Sequence, residues 1–225
     1  MASRIFAAGA GILRAMAIFF MMAHAVFPSP VFSQEIIDRI AARIETGIIL
    51  LSDVRQLGRY QLLVDGKSES DGQLLDRLID QWVVQNEADA SRFPRPADAD
   101  VEQALTALKK SFASPQAYEE RKKLSGLSDL EVRDKIATQL YLTNYLDSRF
   151  RPTVQVDAKA IEEFYKSAVL PRAKARGQEA PSLEASRDTI QEALVQQSID
   201  SQADQWLKDS RARIHVERLL EEGTK

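Results

Sequence analysis

The hydrophobic pattern opens with a β-branched stretch over residues 36–51, IIDRIAARIETGIILL. β-Branched residues favour strands, and Thr46-Gly47 can form a tight turn between two of them. We therefore predict a β-hairpin with strands over about 36–45 and 48–51. Ala41-Ala42-Arg43 would suit a helix equally well, and periodicity alone does not decide between the two.

From residue 52 onward, apolar residues mostly recur at spacings of three and four, which indicates amphipathic helices. Capping signals mark several helix starts, among them Ser52-Asp53, Ser114-Pro115 and the capping box that begins at Ser128. Between the prolines at 171 and 181 the sequence PRAKARGQEAP is polar and basic, so we predict a loop there.

Residues 212–219 alternate charged and apolar side chains, which is typical of a half-buried strand. A single strand cannot stand unpaired, and an isolated hairpin is only marginally stable. The last strand is therefore expected to pair with the hairpin. The predicted fold is mainly α, with about six helices and a small N-terminal β-hairpin completed by a C-terminal strand.

The first 33 residues have the profile of a signal peptide: two arginines, no acidic residue and an apolar stretch over 15–27. A retained membrane anchor is the weaker alternative, because a bilayer span needs about 20 apolar residues and Pro28 ends this stretch. Small residues permit cleavage after Ser33 or after Ala25. We take Gln34 as the mature start and expect a periplasmic protein.

The domain organisation expected for the mature chain is a single domain over 34–225. It divides into a hairpin and first helix (34–65), a helical body (71–170), a loop (171–181) and a closing helix and strand (182–225).

The charge balance gives no reason to expect nucleic-acid binding. The chain has 30 basic and 33 acidic residues, and loss of Arg4 and Arg14 with the signal makes the mature protein more acidic. No apolar run after the signal is long enough to span a bilayer, so stable membrane insertion is not expected either.

Residue types that catalyse reactions or bind cofactors are scarce. The chain has no cysteine and two histidines, His24 in the signal and His215 in the last strand. Adjacent carboxylates such as Glu119/Glu120 diverge on a helix, and no nucleotide-binding, zinc-protease, hydrolase or calcium-loop motif occurs. We therefore predict no catalytic residue, no metal site and no cofactor. Tyr141 and Tyr145, an i,i+4 pair displaced from the apolar stripe of their helix, are predicted as exposed aromatics that contact a peptide.

Several segments resemble SurA-type periplasmic chaperones, including a hairpin whose hydrophobic second strand ends in Ser-Asp-Val at 52–54. The resemblance covers nearly the whole mature chain. It rests on residues 36–54, 74–88, 128–150, 154–165 and 190–219. In that family a parvulin-type prolyl isomerase domain is inserted at about the position of residues 166–181, which here are far too few to form one.

The resemblance implies a chaperone core with paired chain ends and without isomerase activity. The expected function is that of an ATP-independent holdase, which binds unfolded or extended secreted or outer-membrane proteins as clients. The alternative is a non-catalytic adaptor dedicated to one partner in the cell envelope. Nothing in the sequence indicates the oligomeric state.

Overall fold

The computed structural model describes residues 38–220, so the predicted signal peptide and cleavage sites lie outside the described residues. The fold is mainly helical with one small antiparallel sheet, as the sequence predicts. None of the helices in this part of the chain is long and apolar enough to cross a membrane. The elements are β1 (Ile40–Ile44), β2 (Gly47–Leu50), α1 (Leu51–Asp65), α2 (Asp71–Ala90), α3 (Asp98–Lys110), α4 (Pro115–Ser125), α5 (Asp129–Phe150), α6 (Ala158–Phe164), α7 (Leu170–Ala175), α8 (Leu183–Arg211) and β3 (Val216–Arg218).

The predicted hairpin is confirmed, with its turn one residue earlier than expected. β1 and β2 pair in antiparallel register with Ile44 opposite Gly47, and the turn residues are Glu45 and Thr46. Gly47 opens the second strand, where a Cβ atom would lie 2.5 Å from Nε1 of Trp82. Glycine is therefore required at this position by the close approach of the α2 indole.

The C-terminal strand pairs with the hairpin as predicted, giving the sheet order β2-β1-β3. β3 is shorter than the predicted 212–219, because the chain first turns off the end of α8 before entering the sheet. Backbone N–H groups of Leu219 and Leu220 both donate to the carbonyl of Ala41. His215, just before β3, donates its backbone N–H to Oε1 of Glu45 at 2.7 Å and so also holds the hairpin turn, where Glu45 has a positive φ of 46°.

One face of this sheet packs on α1 and α2 to form the first hydrophobic cluster. Ile44 is fully buried whereas Ile48, on the other face, is 56 % exposed, as the two-residue period of a strand requires. Ile214 and Val216 add partly buried side chains to the same cluster. We call the sheet together with α1 and α2 the closed frame.

Helix starts follow the local capping signals. Ser70 with Gln73 and Ser128 with Glu131 form capping boxes at α2 and α5. α1 begins at Leu51, before the predicted Ser52-Asp53 cap, because Asp53 instead accepts from the backbone N–H of the N-cap residue Leu50 at 2.9 Å.

The loop predicted over 171–181 is partly helical, which corrects that prediction. α6 continues through a π-helical turn, Tyr165–Val169, into α7, which ends at Ala175. Pro171 has no N–H to donate, and its ring would clash with the preceding turn of an ordinary helix. The wider π turn, in which Leu170 N donates to the carbonyl of Tyr165, accommodates this proline inside a continuous helix.

The helical body has two further clusters, and α5 contributes to both of them. Its first half packs against α3 and shares a cluster with side chains of α1 and α4 through Val132 and Ile136. Its second half packs against α2 and α8 through Tyr141, Leu142 and Tyr145. The buried side of α5 therefore rotates by roughly half a turn between its ends, because its neighbours change.

A cluster of charged side chains links α8 and β3 to α2 through ion pairs. Arg211 donates to Oδ1 of Asp76 at 2.7 Å, and Arg218 also pairs with Asp76. Arg211 Nη1 lies 3.2 Å from Oδ1 of Asp80, but this buried oxygen has no partner with hydrogen-bond geometry in the part of the chain that the structure describes.

The two carboxylates of this cluster differ in the direction of their pKa shifts. Burial raises the pKa of Asp76, but the Arg211 hydrogen bond and the charges of Arg218 and Arg211 outweigh it and hold the pKa below 3.8. At Asp80 burial dominates over the attraction of Arg211 and raises the pKa above 3.8. The charged form is thus stabilised by folding at Asp76 and destabilised by folding at Asp80.

We expect Asp76→Asn to lower the free energy of unfolding by about 1 kcal/mol at neutral pH, a value kept small by solvent screening. Because the pKa of Asp76 is depressed, this contribution is complete above the ordinary value of 3.8 and is lost as the pH falls below it. The matched change Asp80→Asn, one helical turn away, should leave stability unchanged or raise it. Urea unfolding at neutral and acidic pH measures both, and equal losses from the two changes would contradict the assignment.

Candidate functional site

An open cleft lies where α3 ends and α4 begins, and we call it the α3–α4 cleft. It has a volume of about 510 Å³ and a mainly apolar lining. Ser111 Oγ donates to the carbonyl of Leu108 as α3 ends, and Ser114 Oγ accepts from Ala117 N as α4 begins. These two caps confine Phe112 and Ala113 to a short turn beside the cleft. The lining residues are Thr106, Lys109, Lys110, Phe112, Ala113, Ser114, Pro115, Tyr118 and Glu119.

Two aromatic rings give this cleft its apolar wall. The rings of Phe112 and Tyr118 meet edge to face, with centroids 5.3 Å apart. Tyr118 is only 2 % exposed and belongs to the second core cluster, so it fixes the position of the wall. Burial raises the pKa of its hydroxyl, which therefore stays neutral and presents no nucleophile at physiological pH.

Cations surround the aromatic wall. Lys109 Nζ lies 5.4 Å from the ring centroid of Tyr118, and Arg121 Cζ lies 5.4 Å from that of Phe112. Glu119 on the rim is paired with Lys122 at 3.1 Å, so its charge is compensated. The cleft can therefore hold an apolar or aromatic side chain between cationic edges, a binding function that needs no reactive group.

A second, smaller cleft of about 300 Å³ lies between α1, α3 and α5. Its lining is aliphatic apart from the polar residues Tyr60, Gln139 and Thr143, and Val64 at its edge is 39 % exposed. The Tyr60 hydroxyl donates to Oε1 of Gln139 at 2.9 Å. Burial raises the pKa of Tyr60 to about 12, with smaller electrostatic contributions from Tyr118 and Asp65. This cleft offers a place for one aliphatic side chain.

Surface depressions along α8 are different in character. One of about 710 Å³ is lined by Gln, Asp, Ser and Lys side chains between residues 197 and 208. All of the side chains that line it are polar or charged, so it offers no apolar side chain to an unfolded segment. The apolar clefts on α3, α4 and α5 are therefore the better candidates for binding one.

Tyr141 and Tyr145 are buried, contrary to the expectation that they are exposed. Their exposed fractions are 1 % and 5 %, and both rings pack against Phe93. The Tyr141 hydroxyl donates to Oδ1 of Asp89 at 2.7 Å, and Arg95 lies 4.0 Å from the Tyr141 ring centroid. The pair joins the end of α2 to α5, and neither ring is free to contact a peptide.

Apolar spacing alone does not predict the α3–α4 cleft, because Phe112 continues the spacing of Val101, Leu105 and Leu108 and is therefore expected in the core. A signal against that interpretation was available, since Ser114-Pro115 marks the start of the next helix only two residues after Phe112. An aromatic residue on such a short turn cannot extend a helical stripe.

Groups suited to catalysis or metal binding are sparse here. Within residues 38–220, no three His, Asp or Glu side chains are placed to hold a metal ion together. His215 is exposed, but it lies one residue before β3 and not inside the strand as predicted.

Neither a scan against protein-family models nor a search of the curated proteins finds a match for this chain.

We expect Tyr141→Phe to lower the free energy of unfolding by about 1 kcal/mol, because Oδ1 of Asp89 loses the hydroxyl donor and keeps only Arg95. Tyr145→Phe is the matched control, since its hydroxyl only accepts from Arg149 near the surface and its loss should cost less. Chemical denaturation measures both changes. An unchanged unfolding midpoint in Tyr141→Phe, together with weaker binding of an unfolded protein, would restore the predicted peptide-contact role.

Proposed function

We propose that this protein is an ATP-independent holdase chaperone of the periplasm, which binds unfolded secreted or outer-membrane proteins. Two lines of reasoning support the proposal: the resemblance of its segments to SurA-type chaperones, and the clefts on its helical body. The observation that carries it is the α3–α4 cleft, an open apolar site with a rigid aromatic wall and no reactive group.

The size of the clefts favours weak and reversible binding. Burying one apolar side chain contributes about 2 kcal/mol, so filling both clefts gives at most about 4 kcal/mol before the entropic cost of association, and the dissociation constant for one segment is therefore about 1 mM or weaker. An unfolded protein offers many such segments, and simultaneous contacts raise its overall affinity. A client held in this way can leave without ATP hydrolysis.

The absence of prolyl isomerase activity is part of the proposal. The SurA-type family carries a parvulin domain near the position of residues 166–181. Here that stretch is the π turn, α7 and the short connection to α8 at Leu183. The Tyr165 hydroxyl donates to the carbonyl of Pro181 at 2.7 Å, so both ends of the connection are held together.

A dedicated adaptor is the alternative function for the same clefts. The two functions differ in the number of clients, because a holdase recognises unfolded segments in general whereas an adaptor recognises one folded or extended partner. Suppression of aggregation in several unrelated unfolded proteins supports the holdase. Protection of a single protein supports the adaptor.

We expect Ala113→Trp to weaken suppression of client aggregation severalfold, because an indole at this exposed lining position fills the α3–α4 cleft without altering the core. Ala99→Trp is the control, since Ala99 is exposed in the first turn of α3 and does not line the cleft. Light scattering of unfolded clients with each variant measures the effect. Equal activity of Ala113→Trp and the wild type would show that clients bind elsewhere.

We also expect the protein not to accelerate proline-limited refolding. Without a catalyst, this step takes tens of seconds or longer. The measurement is the slow refolding phase of a substrate that has a native cis-proline, with and without the protein. A concentration-dependent acceleration of that phase would contradict the proposal, whereas a fall in yield alone would reflect client binding.

A further inference from the structure

A concentrated group of positive charges lies along the π turn and α7, in a protein whose overall charge is negative. Between Glu163 and Glu179 the chain contains no acidic residue. The four cations in this stretch are exposed, and we call them the basic tip: Lys166, Arg172, Lys174 and Arg176.

These cations differ from most arginines of the helical body in their pairing. Arg133 contacts both Asp98 and Glu102, and Arg151 contacts Asp147 and Glu192. In the basic tip, Lys166 lies 3.7 Å from Glu162 in an exposed pair of the kind that contributes little. Within residues 38–220, the other three have no carboxylate within 4 Å. Their charge is available to an external anion.

The basic tip has a defined support. α6 and the π turn pack on α8, Ile161 of α6 and Ile190 of α8 are both buried, and α7 extends beyond this packing. Apolar groups accompany the cations, because Leu170 is 39 % exposed and Pro171 is exposed beside it. The basic tip is therefore an ordered surface that combines positive charge with a small apolar contact.

We propose that the basic tip binds the anionic phospholipid headgroups of a membrane surface. The cations lie around α7 rather than along one groove, which suits end-on contact with a flat anionic surface better than the wrapping of an acidic peptide. Leu170 and Pro171 can reach the headgroup region, while no part of the chain has to span the bilayer. The proposal does not depend on the holdase function, since the basic tip and the α3–α4 cleft share no residue.

The predicted effect is large enough to measure. Each basic side chain near an anionic membrane surface increases partitioning by roughly fivefold, and screening by salt removes most of that gain. The test is co-sedimentation of the mature protein with phosphatidylcholine vesicles that contain or lack phosphatidylglycerol. We expect binding only with phosphatidylglycerol, and its loss at high salt.

The triple change Arg172→Gln, Lys174→Gln and Arg176→Gln should reduce this binding on the order of a hundredfold. The control is Arg55→Gln, Lys67→Gln and Lys123→Gln, which removes the same charge from exposed positions elsewhere. If the triple variant folds poorly, Lys174→Gln alone should still reduce binding by roughly fivefold.

Three results would overturn the proposal: no binding of wild type to phosphatidylglycerol vesicles, undiminished binding of the triple variant, or an equal loss in the control. Aggregation assays on the same variants separate this proposal from the holdase function, because changes at the basic tip should leave client protection intact. Vesicle binding that survives while protection of an acidic client is lost would make the basic tip a client surface instead.

Discussion

The pairing of β3 with β1 is the constraint on which the rest of the fold depends. Strands of four and five residues do not form a stable hairpin alone, and a three-residue strand cannot stand unpaired. Their pairing joins two segments about 170 residues apart, and the Asp76–Arg211 contact adds a side-chain link between α2 and α8. The intervening helices can therefore expose clefts without holding the chain ends together themselves.

The elements that could be predicted are those with short-range causes. Each of these signals lies within a few residues: the capping serines, the alternation of the last strand and the β-branched residues of the hairpin. The pairing of the last strand with the hairpin could then be inferred, because unpaired strands are unstable. Pro171 shows the limit of such reasoning, since a local rule ends the helix there. The π turn before it, together with packing of α6 on α8, instead lets the helix continue to Ala175.

The burial of Tyr141 and Tyr145 could not be predicted from one apolar stripe. Ile136 and Leu140 mark the side of α5 that faces α1 and α3, and a single stripe implies that the other side is exposed. α5 has 22 residues, however, and its second half meets α2 and α8 on that other side. A long helix that changes partners has two stripes, and its aromatic residues are assigned correctly only when both partners are known.

The α3–α4 cleft arises for the complementary reason: among residues 38–220, only α3, α4 and the turn between them line the junction where α3 ends and α4 begins. The wall is nevertheless fixed, since Tyr118 is anchored in the core while Phe112 packs against its edge. The basic tip is likewise held by α8 while projecting cations outward. Both surfaces are exposed parts of ordered elements outside the closed frame. Substitutions in the α3–α4 cleft can therefore test client binding, and substitutions in the basic tip can test membrane binding, while the closed frame stays folded.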